Sequence, residues 1–387
     1  MEQHLVATTG DLVALCEELK SSDHLCLDTE FLREKTYYPR LCLLQVCANG
    51  IAACVDVLAV QDLEPLRDLL FANHRIKVFH AARQDLEIFW YLWGAVPGPL
   101  FDTQPAAAVL GYGDQVGYAR LVKAVLGVDL AKEQSRSDWC RRPLDAAQLA
   151  YAYDDVIHLE ELYQRLGQRL RELGRTQWLA EDFASLQDAR TYRVEPMGLW
   201  QRVKGRQHLK GVQLAVLQAL AAWREEHAMQ LDRPRRWVLR DEVIVDIARR
   251  KAGSVAQLGR IRGLEKRQLE RWGDDILARI EQARALSSDA WPRETIPPRL
   301  SARQEAGVDL LQAGLRLVAD AEGVTPSALA GRQDLTRMLL GLDSSLDHGW
   351  RAALAGTTLR GLLSGDYSLH MTDQGPVIET RGTNEPE

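Results

Sequence analysis

No run of about 18 uninterrupted apolar residues occurs in the 387-residue chain, so no membrane-spanning helix is expected. The opening MEQHLVATTGDLVALCEELK lacks the basic start and apolar stretch of a secretion signal, and none is expected. Cysteine is sparse: positions 16, 26, 42, 47, 54 and 140, with no CxxC pair. That pattern argues against a disulfide framework and against structural zinc. The six are expected to be reduced thiols in a cytoplasmic protein. No repeat of roughly 20–50 residues recurs, which excludes a solenoid. What is present is ordinary for a soluble globular protein, 46% hydrophobic and 26% charged residues. The length suggests two to four domains.

The net charge of −6 hides an uneven distribution. Residues 1–200 hold 20 Lys+Arg against 29 Asp+Glu, a net of −9. Residues 201–290 hold 19 against 12, a net of +7, and residues 291–387 hold 9 against 13, a net of −4. An acidic first half suits metal ions and a basic middle suits a polyanion, although a basic stretch can also be a solvated helical surface.

Strand signals come early and helix signals late. Apolar runs at 25–27, 41–47, 51–57 and 76–79 read as strands, and Pro99–Asp102 ends a fifth. Asn49-Gly50 between two of these runs predicts a tight hairpin. Helical patterns cover 63–72, 85–93 and 103–110, and nearly everything from about Tyr118 onward. Three successive strands followed by alternation predict a mixed sheet flanked by helices. Boundaries are expected at 194–206 and at 291–299, where Pro297-Pro298 break any helix. The polar end, 372–387, is expected to be disordered.

Four carboxylates suggest chemistry. Asp28 and Glu30, two apart at the end of the first apolar run, would face the same way on a strand. Two such acids repel each other and lose solvation, a conflict that a divalent cation resolves. Asp85 follows the fourth run across a strand-to-helix turn. Tyr151 and Asp155 are i and i+4, neighbours on one helical face. Taken singly, each has a plain explanation: solvated acids in a turn, a helix cap, a packed tyrosine beside a surface acid. Taken together they fit a site in which two hard cations with oxygen ligands hydrolyse a phosphodiester.

The motifs Asp28-Thr29-Glu30-Phe31, His80-Ala81-Ala82-Arg83-Gln84-Asp85 and Tyr151-x-x-x-Asp155 resemble the DEDD exonuclease superfamily in its tyrosine-bearing branch. The stretches KTYYPRLCLLQ (35–45) and SDWCRRPL (137–144) narrow the resemblance to the ribonuclease D family. The resemblance implies an α/β RNase H-like exonuclease domain over 1–200, a mixed sheet flanked by helices. Two all-α HRDC-like domains would follow, over 208–288 and 297–372, the second divergent, with 373–387 a disordered tail. It implies a monomeric 3′→5′ exoribonuclease that trims the 3′ ends of tRNA precursors and other structured RNAs and releases nucleoside 5′-monophosphates. Asp28, Glu30, Asp85 and Asp155 would ligate two Mg²⁺ or Mn²⁺ ions, and Tyr151 would orient the attacking water.

Substrate contacts are sought next to these motifs. Phe31, Arg33, Lys35, Tyr37, Tyr38 and Arg40 interleave aromatics with cations, a composition that suits a single strand. Trp139 is a further candidate at the lip of a groove, and His80 reads as structural. Arg235 and Arg236 belong to a basic cluster with Arg233, Arg240, Arg249, Arg250 and Lys251 that would grip RNA, and Trp223 and Trp237 are expected in the core beneath it. Two other readings stay open: a 3′→5′ DNA exonuclease of the same superfamily, and a non-catalytic RNA-binding protein.

Overall fold

The computed structural model describes residues 1–130, 134, 137–294 and 299–381. The Pro297-Pro298 boundary and residues 382–387 lie outside the described residues. Strand β1 (Glu2–Val6) and helix α1 (Thr9–Leu19) precede three successive strands, β2 (His24–Leu32), β3 (Arg40–Ala48) and β4 (Ile51–Val55). Helices and strands then alternate: α2 (Glu64–Leu70), β5 (Ile76–Phe79), α3 (Arg83–Trp93), β6 (Leu100–Asp102) and α4 (Thr103–Val109). Next come α5 (Tyr118–Leu126), the long α6 (Ala146–Glu172) and α7 (Ala180–Gln187).

The six strands form one mixed sheet in the order β1-β4-β3-β2-β5-β6. β3 and β4 pair antiparallel, and β1–β4, β2–β5 and β5–β6 pair parallel. Cys42 through Ala48 of β3 are buried throughout, so the strand lacks the alternation of a half-exposed one. Asn49 and Gly50 both take positive φ, 54° and 79°, the geometry of a two-residue hairpin turn between Ala48 and Ile51. β1 escapes sequence reading because it lies at the sheet's edge and is mostly exposed.

One expectation about cysteine is overturned. Cys42 on β3 and Cys140 are joined by a disulfide across 98 residues of sequence, whereas Cys16, Cys26, Cys47 and Cys54 are free and buried. The fold alone brings the two together, and no local spacing signals the pair.

The chain divides into two compact units, and both are discontinuous in sequence. One comprises residues 31–41 with 192–298, the other the remainder. In the 31–41/192–298 unit, α8 (Val212–Gln230) runs through the core. Around it lie α9 (Arg235–Val238), α10 (Asp241–Arg250), α11 (Val255–Leu258) and α12 (Lys266–Ala285). Trp223 is buried there as expected, but Trp237 is 55% exposed. The four-residue α9 turns Val238 inward, and the preceding side chain is left outside under the Arg233 guanidinium, 6.0 Å from the ring centre.

The sheet-bearing unit is completed by α13 (Ala302–Ala321), α14 (Pro326–Leu329) and α15 (Arg332–Leu339). α16 (Gly349–Arg351) continues through a π turn (Ala352–Gly356) into α17 (Thr357–Ser364). Strands β7 (Tyr367–Thr372) and β8 (Gly375–Thr380) then form an antiparallel hairpin. The expectation of disorder from 373 onward is therefore corrected for Gly375–Thr380: the strand is polar because it is largely exposed, and backbone pairing orders it.

These helices join the sheet region through specific contacts. Trp178 and Trp350 stack with ring centres 4.3 Å apart, and the Trp350 indole N–H donates to the Trp178 carbonyl. Thr325 donates its N–H to the Ala108 carbonyl at 2.9 Å. The buried Arg175 donates to the carbonyls of Val109, Glu322 and Gly323 and lies over the Trp178 ring. Replacing Arg175 with Ala would leave the buried Val109 carbonyl without this donor and remove the bonds to Glu322 and Gly323. The Arg175→Ala protein is expected to lose roughly 3 kcal/mol of stability, read as a lower midpoint in denaturant. An unchanged midpoint would mean these bonds contribute nothing net.

Candidate active site

β2, fourth of the six strands in the sheet, delivers the first two acids. Asp28 and Glu30 turn to one side as alternate strand residues do. They meet Asp155 of α6, and one carboxylate oxygen from each lies within 4.8 Å of the others. The start of α6 fixes which residues reach this point. Asp145 caps the helix by accepting from the Gln148 N–H at 2.8 Å, and the Gln148 side chain accepts from the Asp145 N–H at 3.1 Å. Counting from that cap, Tyr151 and Asp155 fall one turn apart, and the Tyr151 hydroxyl donates to Asp155.

Asp85 approaches from the first turn of α3. It stands outside the close group of three and is held by the Thr29 hydroxyl, which donates to it at 2.5 Å. Its helix has no side-chain cap of its own. The buried Asp102 instead fixes the turn that leads into it, accepting from the N–H groups of Ala81 and Ala82 at 2.9 Å each. The same carboxylate accepts from the Gln104 N–H and so caps α4. One side chain therefore ties down two helix starts, and it holds Ala81 in the left-handed region at φ 61°. Sequence reading missed Thr29 and Asp102. An Asp at the junction of the fifth run and the next helical pattern was the available signal for Asp102.

The electrostatics are those of acids forced together. Burial, then the charges of Asp155, Asp85 and Glu30, push Asp28 well above the carboxylate range. Burial, then Asp155 and Asp85, push Glu30 up to about 9. Burial pushes Asp85 and Asp155 up to about 7 each, against the opposing hydrogen bonds from Thr29 and Tyr151. Burial and the charge of Asp155 raise the Tyr151 phenol far above its ordinary range. Tyr118, unmarked in sequence, is buried close enough to Asp155 and Asp28 to be raised by them too, and its hydroxyl donates to the Asp154 carbonyl. The all-oxygen donor set, its crowding and its unmatched negative charge fit hard divalent cations. Asp28, Glu30 and Asp155 would hold one, with Asp85 within electrostatic reach of Asp28 and Glu30.

The remaining candidates sort differently. His80 bridges Thr103 Oγ1 and the Val116 carbonyl at 2.9 Å each, and burial lowers its pKa to about 4, so it is a neutral structural residue. Trp139 is 2% exposed and tilts against Tyr151 with ring centres 6.0 Å apart. It supports the tyrosine from inside the fold and has no face at a groove lip. Beside it, Arg142 clamps the segment with two bonds to Asp56 and others to the carbonyls of Cys42 and Trp139. Tyr37 is likewise no stacking platform: it is 7% exposed and donates its hydroxyl to the buried Glu225 at 2.6 Å. Tyr38 packs edge-on against it at 4.9 Å and is half-buried. Phe31, next to Glu30 on β2, is half-buried, and Arg33, Lys35 and Arg40 are exposed. Arg235 sets its guanidinium 3.6 Å from Glu225, while Arg236 is exposed.

Known proteins share this arrangement. A 3′-5′ exonuclease family model matches residues 3–171, and an HRDC domain model matches residues 213–280. Ribonuclease D of Gluconacetobacter diazotrophicus is 42% identical over 365 residues, covering 93% of this chain and 93% of that protein. Ribonuclease D of Acidiphilium cryptum is 42% identical over 95% of each chain. The chain belongs to the ribonuclease D family. The crystal structure of Escherichia coli RNase D, an exoribonuclease involved in structured RNA processing, superposes with a TM-score of 0.82. It is 31% identical and covers 94% of this chain and 99% of that one. The ribonuclease D-family chain is thus a hydrolytic 3′→5′ exoribonuclease, with a mixed-sheet exonuclease domain followed by an HRDC domain. The family is generally dependent on divalent metals, and the acidic cluster agrees with that. Among the described residues no helix is long and apolar enough to cross a membrane.

The raised acids give a signed pH dependence. Their folded pKa values, about 7 to 9, exceed the ordinary values near 4, so the folded state binds more protons between these limits. Stability in EDTA is therefore expected to fall as pH rises from 5 to 9. Mn²⁺ at pH 8.5 should raise the thermal midpoint far more than at pH 5.5, because the cation replaces the protons. A midpoint indifferent to Mn²⁺ at both pH values would refute a cation site here.

Proposed function

We propose that this enzyme trims the 3′ ends of tRNA precursors and other structured RNAs by two-metal-ion hydrolysis, releasing nucleoside 5′-monophosphates. The reading rests chiefly on the convergence of Asp28, Glu30 and Asp155 within 4.8 Å, with Asp85 aimed by Thr29. Asp28, Glu30, Asp85 and Asp155 hold two Mg²⁺ or Mn²⁺ ions. When bound, such ions activate a water for attack and stabilise charge on the leaving 3′ oxygen. Tyr151 keeps its proton, donates to Asp155, and orients the attacking water from the same helical face. Phe31 borders the terminal nucleotide, and Arg33, Lys35 and Arg40 contact the incoming strand. The basic middle of the chain grips the body of the RNA. The division into 1–200, 208–288 and 297–372 accompanies this reading, as do a monomeric state and a cytoplasmic location.

A 5′-labelled RNA and its DNA counterpart, given Mg²⁺, Mn²⁺ or EDTA, test the reaction. Shortening of RNA from the 3′ end is expected, abolished by EDTA and by Asp155→Ala. Equal or faster shortening of DNA would make this a DNA exonuclease, and retention of RNA without shortening would make it a binding protein. The role of Tyr151 has a separate readout. Tyr151→Phe removes only the hydroxyl and should lower kcat about 10²-fold with KM for RNA little changed. A rise in KM at constant kcat would instead assign the hydroxyl to substrate binding.

A further inference from the structure

The Cys42–Cys140 bond lies next to the support of Tyr151, and the hydrolytic chemistry makes no use of it. Cys42 sits on β3 and is fully buried. Cys140 belongs to the turn before α6 and is half-buried. The residue before it is Trp139, whose ring backs Tyr151 with centres 6.0 Å apart. Trp139 has no side-chain hydrogen bond to hold it there: its indole N–H is buried and finds no partner among the described residues. The position of the ring therefore depends on how its segment of backbone is fastened.

Two fastenings hold that segment, and both end on Cys42. One is covalent, through the sulfur, with the Cα atoms 5.3 Å apart. The other is polar: Arg142 makes two bonds to Asp56 and donates to the carbonyls of Cys42 and Trp139. They differ in what undoes them. A guanidinium–carboxylate pair is indifferent to thiols, whereas a disulfide exchanges with them. The remaining cysteines are poor partners for such exchange. Cys16, Cys26, Cys47 and Cys54 are free and buried, and burial pushes each thiol up, Cys16 to about 11 and Cys54 to about 12. Of the six, only Cys140 is not buried. Arg141, exposed, and Arg142 follow it directly, and cations there attract an anionic thiolate. In a reducing compartment such as the cytoplasm, the disulfides that do form are usually transient and redox-sensing.

We propose that Cys42–Cys140 is a reversible redox site for a dithiol/disulfide couple, and that its closed form is the one that holds Trp139 against Tyr151. A thiolate of the dithiol attacks Cys140 Sγ, the sulfur within reach. The bond to Cys42 breaks, and the electron pair leaves on Cys42 Sγ, which takes up a proton. The second thiolate of the reductant then attacks its own sulfur in the mixed disulfide and releases Cys140 as a thiolate. Two electrons pass to the protein, which gains two thiols, while the reductant becomes a disulfide. The reverse exchange closes the bond again. With the bond open, the segment hangs on Arg142 alone, and the hydroxyl of Tyr151 is less well aimed. The proposal rests on the water-orienting role given to Tyr151.

The test uses the full chain, either oxidised with oxidised glutathione or reduced with dithiothreitol, each then removed by gel filtration. After denaturation the oxidised sample should show four thiols and the reduced sample six. Mg²⁺-dependent shortening of a 5′-labelled RNA is then measured. Reduction is expected to lower kcat about tenfold with KM little changed, because small misplacements of a positioned group cost rate and not binding. Reoxidation should restore the rate, and Cys140→Ser should resemble the reduced protein under both conditions. In Tyr151→Phe, reduction should cost nothing further, since the hydroxyl through which it acts is gone. An unchanged or higher kcat after reduction would overturn the proposal. So would thiol counts that do not respond to the two treatments, or an equal loss on reduction in Tyr151→Phe. Loss of far-ultraviolet circular dichroism on reduction would overturn it too, by making the bond a scaffold of the fold. Failure of the Tyr151 reading looks different: the oxidised Tyr151→Phe protein would turn over RNA like the unaltered one.

Discussion

The repulsion among Asp28, Glu30, Asp85 and Asp155 is the constraint around which the sheet-bearing unit is arranged. Left to themselves these acids would separate or take up protons, and their raised pKa values express that tendency. The fold prevents separation with rigid, hydrogen-bonded supports. β2 lies inside the sheet, between β3 and β5. α6 is started at one defined residue by a reciprocal cap. The turn into α3 is fixed by Asp102 at the end of β6, which accepts from the N–H groups of Ala81 and Ala82 just before the helix. Each support is local and hydrogen-bonded, so the acids remain close whether or not a cation is bound. Hydrophobic burial elsewhere in the unit offsets the cost of that pre-organisation.

The other unit handles charge in the opposite way. Its buried Arg224 is matched by Asp241 at 2.6 Å and by the Leu239 carbonyl. Its buried Glu225 accepts from Tyr37 and faces Arg235. Interior charges there are neutralised in pairs, and the excess positive charge is left on the surface. The acidic and basic stretches visible in composition thus differ in more than sign: one concentrates unmatched charge inside, the other displays it outside.

Much of this was legible in the sequence because the signals were local. The apolar runs marked five of the six sheet strands, Asn49-Gly50 marked the hairpin, and the spacing of Asp28 with Glu30 and of Tyr151 with Asp155 anticipated shared faces. What was not legible depended on contacts between distant segments. Nothing near Tyr37 announces that its partner is Glu225, so an aromatic in a basic stretch resembled a stacking surface. Trp139 was misplaced for the same reason, since its neighbour Tyr151 belongs to another element. The Cys42–Cys140 bond also needs the assembled chain. Trp237 failed on a finer point, because adjacent residues of one short helical turn face opposite ways.

The discontinuity of both units also bears on how the chain is made. Tyr37 is separated from Glu225 by 188 residues. At roughly 5–20 residues per second, a nascent chain holds that tyrosine without its partner for about 10–40 s. Arg175 similarly precedes its acceptor at Glu322 by 147 residues. The 31–41/192–298 unit cannot close until its second segment has been made. Translation pauses between codons 200 and 300 would lengthen the interval in which its hydrophobic core is open to chaperones and proteases.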